Sequence, residues 1–243
     1  MIFNYILAIT AVTIVVALGY GLLRLAYFVH ASGQIVEKSS AYEQTPENTE
    51  TKILILGDST ALGTGADNPQ NSVAGRLGQD FPTASVINKA ENGMRSDQLL
   101  DRLDGLLIDE SYDLIVIHIG ANDVLRMRKL ERTKQNIGLI VDRSLNNADN
   151  VALFTSGNIG EAKLIPWFAR PLMSKRSLKL RDFGIELESE IDNFVYVDLY
   201  YKDSGLPSSD FYADDQLHLS DKGYGLWHQE LRNALKKHTG LYY

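Results

Sequence analysis

Five short apolar runs that alternate with helical patterns constrain the fold of this chain more than any other feature. The runs span residues 52–56, 85–88, 114–119, 151–154 and 194–199. Between them, apolar residues recur at the spacing of one helical face. This alternation predicts βαβ units and therefore an α/β fold, in which helices cover both faces of a central, mainly parallel five-stranded sheet.

The composition bounds the size of the domain and excludes several kinds of chemistry. At roughly 150 residues per domain, the 243 residues leave about one compact domain beyond the apolar N-terminus. The absence of cysteine excludes disulfides, thiolate metal sites and cysteine nucleophiles. A formal net charge of -7 argues against a general nucleic-acid binder, because the overall field would repel phosphates.

The N-terminus is apolar enough to predict a membrane anchor. No charged residue occurs in residues 2–23, and a helix of that length can cross roughly 30 Å of hydrocarbon. A cleaved signal peptide is the alternative, but no Lys or Arg precedes the apolar run and the run is long. We therefore expect an uncleaved anchor over residues 1–30, a polar linker over 31–51 and the folded domain over 52–243.

This division predicts a single-pass membrane protein, and we expect the folded domain on the extracytoplasmic side. The orientation stays open, however. Arg24, Lys38 and Lys52 follow the apolar run, and a simple charge count would place the domain in the cytoplasm. Long domains nevertheless translocate largely regardless of charge.

Polar residues follow each predicted strand at the point where it ends. They are Gly57, Asp58 and Ser59 after the first run, Glu91, Asn92 and Gly93 after the second, residues 120–123 after the third, residues 156–158 after the fourth, and Asp215 and His218 before the last helix. Because the carboxyl ends of parallel strands meet at one edge of the sheet, these residues predict a functional site at that edge.

The residue types at this edge permit nucleophilic catalysis. A serine hydroxyl such as that of Ser59 is a weak nucleophile unless a base, most often a histidine, removes its proton. His218 is the candidate base, and Asp215, three residues earlier, could orient its ring. Asp214 is a second candidate for the orienting role, although the three-residue spacing favours Asp215.

An ester or acyl substrate would also need donors for the oxyanion that forms on its carbonyl. The candidates are the backbone N–H groups of Ser59 and Gly93 and the side-chain amide of Asn122. Gly93 suits the role because it has no side chain to obstruct a close approach. Alternatively, Ser59 could be a helix cap and Asn122 a turn residue.

Taken together, the blocks Gly57-Asp58-Ser59, Gly93, Gly120-Ala121-Asn122-Asp123 and Asp215-Gln216-Leu217-His218 resemble those of the SGNH (GDSL) hydrolase family, in the same order. The resemblance covers about residues 52–237. It implies a flavodoxin-like three-layer α/β/α fold, with Ser59 as nucleophile, His218 as base and Asp215 as its partner, and with Ser59, Gly93 and Asn122 as the oxyanion hole. Thr60 stands where the family often has leucine, and the N-terminal anchor is an addition.

The resemblance predicts a serine hydrolase that cleaves an ester through an acyl-enzyme, without a cofactor or a metal. The expected substrate is a small-molecule, lipid or glycan ester, with the membrane contacted through the N-terminal helix and no nucleic acid bound. One alternative is an O-deacetylase of polysaccharides with the same residues. A less favoured one is a non-catalytic binding module on the same fold.

Other residues are open to more than one interpretation. His118 lies inside an apolar run and could be a core residue or a neighbour of the site. His30, His228 and His238 show no metal-ligand spacing. Gly63 and Gly65 resemble a phosphate loop only weakly, because the pattern matches neither nucleotide-binding motif.

Two clusters of basic residues stand out in this acidic chain. One is Arg126, Arg128, Lys129, Arg132 and Lys134, and the other is Arg170, Lys175, Arg176, Lys179 and Arg181. Solvated helix faces would explain both clusters. Alternatively, they form a rim that meets anionic head groups or an anionic substrate, with Trp167 and Phe168 as an apolar lip.

Overall fold

The computed structural model describes residues 2–107, 111–201 and 205–239. Its elements in chain order are α1 Ile2–Lys38, β1 Thr51–Gly57, α2 Ser59–Leu62, α3 Val73–Asp80, β2 Ala84–Asn88, α4 Ser96–Leu106, β3 Tyr112–His118, α5 Ala121–Leu125, α6 Leu130–Leu145, β4 Ala148–Phe154, α7 Arg170–Glu190, β5 Phe194–Tyr196, α8 Ser208–Phe211 and α9 Asp221–His238. Single 3-10 turns lie at Pro69–Asn71 and Ile159–Glu161. The end of the predicted domain, 240–243, lies outside the described residues.

The five strands form one parallel sheet in the order β2-β1-β3-β4-β5. This is the flavodoxin-like order, and it confirms the predicted parallel sheet. The strand β5 is shorter than the predicted 194–199, because only residues 194–196 pair in register with β4. All strands end at the same edge of the sheet, so the polar residues that follow them share one side of the molecule.

The core lies on both faces of the sheet, and this explains why the central strands read as continuous apolar runs. Leu54 and Leu56 of β1 point into one cluster with residues of α4, α6 and α7. Ile53 and Ile55 point into the other cluster, with residues of α3 and α9. Helices therefore cover both faces, as the alternation predicted.

The segment predicted as a linker is more ordered than expected. Helix α1 continues to Lys38, past the start of the predicted linker. Further along, Gln44 forms an antiparallel bridge with Val86 of β2, through backbone hydrogen bonds of 3.0 and 2.9 Å. Its side-chain Nε2 also donates to the carbonyl oxygen of Ala84 at 2.8 Å. These bonds tie the segment to the edge strand, a pairing that its polar, aperiodic sequence does not show.

The structure does not support the predicted membrane anchor over residues 1–30. Within the part of the chain that the structure describes, no helix is long and apolar enough to cross a bilayer. The division into anchor, linker and folded domain therefore stays a prediction from the sequence.

Candidate active site

Ser59 lies at the turn where β1 gives way to α2. The turn requires glycine at position 57, whose φ is +135°, because a Cβ there would lie 1.9 Å from the backbone oxygen of His118. The buried Asp58 caps α2, since its Oδ1 accepts the backbone N–H of Thr60 at 3.0 Å. Ser59 is the first residue of the helix, so the strand end and the cap together fix its position at the edge of the sheet.

Asp215 and His218 lie on a tight turn ahead of α9. The Oδ1 atom of Asp215 accepts the backbone N–H groups of Leu217 and His218, each at 3.0 Å. Its Oδ2 lies 2.5 Å from Nδ1 of the His218 ring. The other ring nitrogen, Nε2, lies 3.1 Å from Oγ of Ser59. The structure thus brings the three predicted residues together in the order Ser59, His218, Asp215.

Burial distinguishes Asp215 from its neighbour Asp214. The Asp215 side chain is fully buried, whereas Asp214 is exposed. Burial alone would raise the pKa of Asp215, but its hydrogen bond and charge interaction with His218, together with the two backbone donors, lower the pKa below its usual value. Asp215 is therefore a carboxylate suited to hold the imidazole ring, and Asp214 is not placed for that role.

The predicted oxyanion residues are only partly brought together. Asn122, in the first turn of α5, lines the same cavity as Ser59 and His218. Gly93 lies in the turn after β2 with a φ of +75°, and an added Cβ would be 3.4 Å from Nη2 of Arg126. Among the described residues that line the cavity, Gly93 is not included. Its role in the oxyanion hole stays a prediction.

The cavity beside Ser59 has a volume of about 620 Å³. Its apolar wall includes Leu125, Phe154, Ile159, Leu199, Leu217 and Trp227. Many polar groups, among them Ser59, Asn122 and His218, also line it. A concave pocket in which apolar surface meets convergent polar groups is typical of a small-molecule site.

His118, left open by the sequence, lies in the wall of this cavity. Its ring is buried and stacks on Phe154 at 4.0 Å between ring centroids, with Trp227 at 6.2 Å. Burial lowers the pKa of His118 to about 3, so the ring is neutral near neutral pH. The ring forms part of the cavity wall, and neither of its nitrogens has a hydrogen-bond partner among the described residues.

The sequence did not predict two side-chain contacts near the site, one of them buried and the other partly buried. The carboxylate of Asp123 accepts the backbone N–H of Ser96 at 2.9 Å and its hydroxyl at 2.8 Å, which ties the start of α4 to the residue after Asn122. The hydroxyl of Thr64 donates to Oδ1 of Asn92 at 2.6 Å, which ties the loop after Ser59 to the residue before Gly93. Both join residues far apart in the chain, and no local pattern signals them.

Among the described residues, no group of three or more His, Asp or Glu side chains is placed to hold a metal ion.

A serine hydrogen-bonded to a histidine and through it to a buried aspartate, at the carboxyl edge of a parallel sheet, is typical of α/β serine hydrolases. Comparison with known families agrees with this class. The GDSL-like lipase/acylhydrolase family matches residues 55–226, which is most of the chain. The chain belongs to this family of ester hydrolases, and the predicted SGNH resemblance is confirmed.

Individual proteins that resemble this chain share only 20–30% of its sequence over the aligned residues. Esterase TesA of Pseudomonas aeruginosa is 30% identical over 112 residues, which cover 45% of this chain and 56% of that protein. The match thus spans about half the length of this curated relative. A crystal structure of TesA superimposes with a TM-score of 0.62 at 20% identity, covering 76% of this chain and 98% of that one. An acetylxylan esterase, Axe2 of Geobacillus stearothermophilus, gives 0.58 at 21% identity, covering 82% and 98%. At these identities the two structures show a shared fold.

Proposed function

We propose that the protein hydrolyses carboxylic esters with Ser59 as nucleophile, His218 as general base and acid, and Asp215 as the residue that orients His218. The supporting observation is the chain of contacts from Ser59 Oγ to His218 Nε2 at 3.1 Å and from His218 Nδ1 to Asp215 Oδ2 at 2.5 Å. With the proton on Nδ1, the free lone pair of Nε2 faces the serine hydroxyl, as a base requires.

The reaction proceeds in two halves. Ser59 Oγ attacks the ester carbonyl carbon while its proton moves to Nε2 of His218. The tetrahedral intermediate collapses, the C–O bond to the alcohol breaks, and the alcohol leaves with that proton. Water then attacks the acyl carbon while its proton moves to Nε2 of His218. The bond from Ser59 Oγ to the acyl carbon breaks, His218 returns the proton to Oγ, and the carboxylic acid leaves.

The proposed oxyanion donors are the backbone N–H of Ser59, the side-chain amide of Asn122 and the backbone N–H of Gly93. The Ser59 N–H lies in the first turn of α2, where helix N–H groups have no intrahelical acceptor. Asn122 shares the cavity with Ser59, which supports its assignment. The assignment of Gly93 rests on the family resemblance and on its turn conformation.

The cavity has room for an acyl or alcohol group larger than acetyl, because its volume is about 620 Å³. Its lining contains both apolar and polar side chains, so it can accept an acyl ester or an acetylated glycan. We place acyl esters ahead of the glycan O-deacetylase alternative because the matching family is one of lipases and acylhydrolases. A panel of p-nitrophenyl esters of increasing chain length, run beside acetylated xylan, tests this order. Acetate release from the glycan with no activity on longer esters would reverse it.

The nucleophile is tested by Ser59→Ala and by labelling with a fluorophosphonate. We expect the variant to lose ester hydrolysis and labelling while its circular dichroism is unchanged. Ser156→Ala is the matched control, because Ser156 also lines the cavity and its hydroxyl has no hydrogen-bond partner among the described residues. Labelling that persists in Ser59→Ala would refute the assignment.

The extracytoplasmic, membrane-tethered location stays a prediction from residues 1–30. Fractionation of cells that express the full chain, beside cells that express a chain without those residues, tests the anchor when the membranes are first washed to remove peripherally bound protein. Equal distribution of the two washed chains would contradict an anchor. Protease protection of the full chain tests the side, and a domain protected as cytoplasmic proteins are would contradict the extracytoplasmic location.

A further inference from the structure

Two adjacent aromatic side chains stand almost fully in solvent on the loop between β4 and α7. Trp167 is 80% exposed and Phe168 is 70% exposed. Their rings contact each other edge to face, with centroids 6.0 Å apart. Neighbouring large aromatic residues exposed to this extent often mark a surface that binds another apolar phase or a partner.

This apolar lip belongs to the edge of the candidate active site. Earlier in the same loop, Ala162 lines the cavity. The backbone N–H of Leu164 then donates to the carbonyl oxygen of Gln216, at 3.3 Å. Gln216 is the residue directly after Asp215, so the loop is fastened to the turn that carries His218. The lip follows two residues after the buried Ile165 and stands beside the cavity without lining it.

The residues around the lip are positively charged, whereas the whole chain has a negative net charge. Between Glu161 and Asp182 the sequence contains six basic residues and no acidic one. Lys163 and Arg170 flank the lip directly. In addition, Arg24 of α1 donates to the carbonyl oxygen of Lys163 at 3.5 Å, which brings a third cation to the loop.

Not every residue of the predicted basic cluster contributes to this surface. Arg176 donates to the backbone oxygens of Arg128 and of Asp123, the latter at 3.4 Å. Arg181 pairs with Asp198 at 2.7 Å. These two side chains fasten α7 to its neighbours. Lys163 is exposed, and Arg170 is half-buried and donates from Nε to the carbonyl oxygen of Ile165 at 3.1 Å, which holds its guanidinium group close to the lip. The cationic surface relevant to the lip is therefore the part near Lys163 and Arg170.

We propose that the apolar lip, with Lys163 and Arg170 beside it, docks the protein on a bilayer that contains anionic lipids. Tryptophan and phenylalanine partition into the interfacial region of membranes, and adjacent lysine and arginine attract anionic head groups. The net charge of -7 would repel such a bilayer, so the attraction must come from this local surface. Docked in this way, the cavity meets amphiphilic esters at the membrane surface; only this last point rests on the proposed function.

Tryptophan fluorescence tests the docking directly. The chain has two tryptophans, Trp167 and Trp227, and none in α1, so insertion of α1 would not be reported. In full-length Trp227→Phe, the emission of Trp167 should be quenched by brominated lipids in vesicles that contain phosphatidylserine, and much less in phosphatidylcholine vesicles. Equal quenching in both, or none, would overturn the proposal. So would an emission shift that depends on protein concentration alone, which would indicate self-association.

Charge reversal provides the matched comparison. Lys163→Glu with Arg170→Glu should raise the lipid concentration for half-maximal quenching by about tenfold or more, since each basic residue near the surface contributes about 1 kcal/mol. Lys129→Glu with Arg132→Glu changes the net charge equally in the other basic cluster, where both residues are exposed. An equal loss in this control would show that total charge, and not the lip, determines binding.

Kinetics separate docking from catalysis. Trp167→Ser with Phe168→Ser should leave kcat/KM for a water-soluble short-chain ester unchanged and lower the rate on an ester embedded in anionic vesicles at least several-fold. Leu139→Ser, an exposed apolar residue on α6, is the control and should change neither rate. An unchanged vesicle rate in the double variant would overturn the proposal. If the wild type shows no ester hydrolysis, the proposed function fails, while the fluorescence result still decides the docking.

Discussion

Asp215 contacts His218 through both of its carboxylate oxygens. One oxygen lies 2.5 Å from Nδ1 of the ring, and the other accepts the backbone N–H of the same histidine at 3.0 Å. The three-residue spacing makes this double contact geometrically accessible, and Gln216 between them takes a positive φ of 56° to close the turn. These two contacts hold the ring with Nδ1 directed to Asp215 and Nε2 directed to Ser59.

The first prediction concerns this contact. Asp215→Asn would place an amide N–H against Nδ1 and favour the tautomer with the proton on Nε2, which cannot accept the serine proton. We expect kcat to fall by roughly 10⁴, the size of the effect known for the corresponding substitution in serine proteases. Asp214→Asn is the control and should retain activity, because Asp214 is exposed. Steady-state kinetics on a soluble ester measure both, and the reverse pattern would assign the orienting role to Asp214.

A second prediction concerns the oxyanion. Asn122→Ala removes a side-chain donor from the cavity without removing the nucleophile. We expect kcat to fall by about 10²–10³ with little change in KM, because the interaction is made mainly in the transition state. Labelling of Ser59 by a fluorophosphonate should persist at a reduced rate. A rise in KM with kcat unchanged would show instead that Asn122 binds the ground-state substrate.

The sheet could be predicted from the sequence because each strand is recognisable from a short stretch of neighbouring residues. A strand buried on both faces reads as a continuous apolar run, as Ile53 to Leu56 do, and parallel strands place their ends together by topology. The residues of the candidate triad were accessible for the same reason, since each follows a recognisable strand or precedes a recognisable helix. Gly57 also carried a signal, as a glycine at an abrupt strand end.

What could not be predicted depends on contacts between distant parts of the chain. The bridge from Gln44 to Val86 and the bond from Asp123 to Ser96 join segments that no periodicity relates. The strand β5 ends at Tyr196 because only residues 194–196 pair with β4, and this pairing is not visible in the sequence. The sequence also does not show that Arg176 and Arg181 bind neighbouring segments while other basic residues of α7 are exposed to solvent, because all of these residues have the same kind of side chain.

A third prediction follows from the buried carboxyl beside the nucleophile. Burial raises the pKa of Asp58 from 3.8 to about 6, and the hydrogen bonds with Thr60 and the charge interaction with His218 offset only part of this effect. Since the folded state holds the proton more tightly than the unfolded chain does, Asp58 contributes stability that is fully present below its unfolded pKa and lost as the pH rises through about 6. The change corresponds to about 3 kcal/mol.

The test is Asp58→Asn, whose amide oxygen can still accept the Thr60 N–H that caps α2. Relative to wild type, the variant should gain stability between about pH 4 and about pH 8, because only the wild type ionises this group over that interval. Urea unfolding at both pH values measures the gain. Asp149→Asn, at an exposed position, controls for the loss of one negative charge. A stability difference that is the same at both pH values would contradict the prediction.

The last prediction concerns the glycine at the strand end. Gly57→Ala would place a Cβ 1.9 Å from the backbone oxygen of His118, and its φ of +135° is unfavourable for any residue with a side chain. Neither atom can move without separating β1 from β3, so we expect a loss of stability of several kcal/mol, on the order of the larger single-residue effects. Gly105→Ala is the matched control: it lies in α4, nothing lies within 4 Å of an added Cβ, and it should stabilise by up to about 1 kcal/mol. Thermal and urea unfolding compare the two. If Gly57→Ala is as stable as Gly105→Ala, then the close approach of β1 and β3 does not require glycine at this strand end.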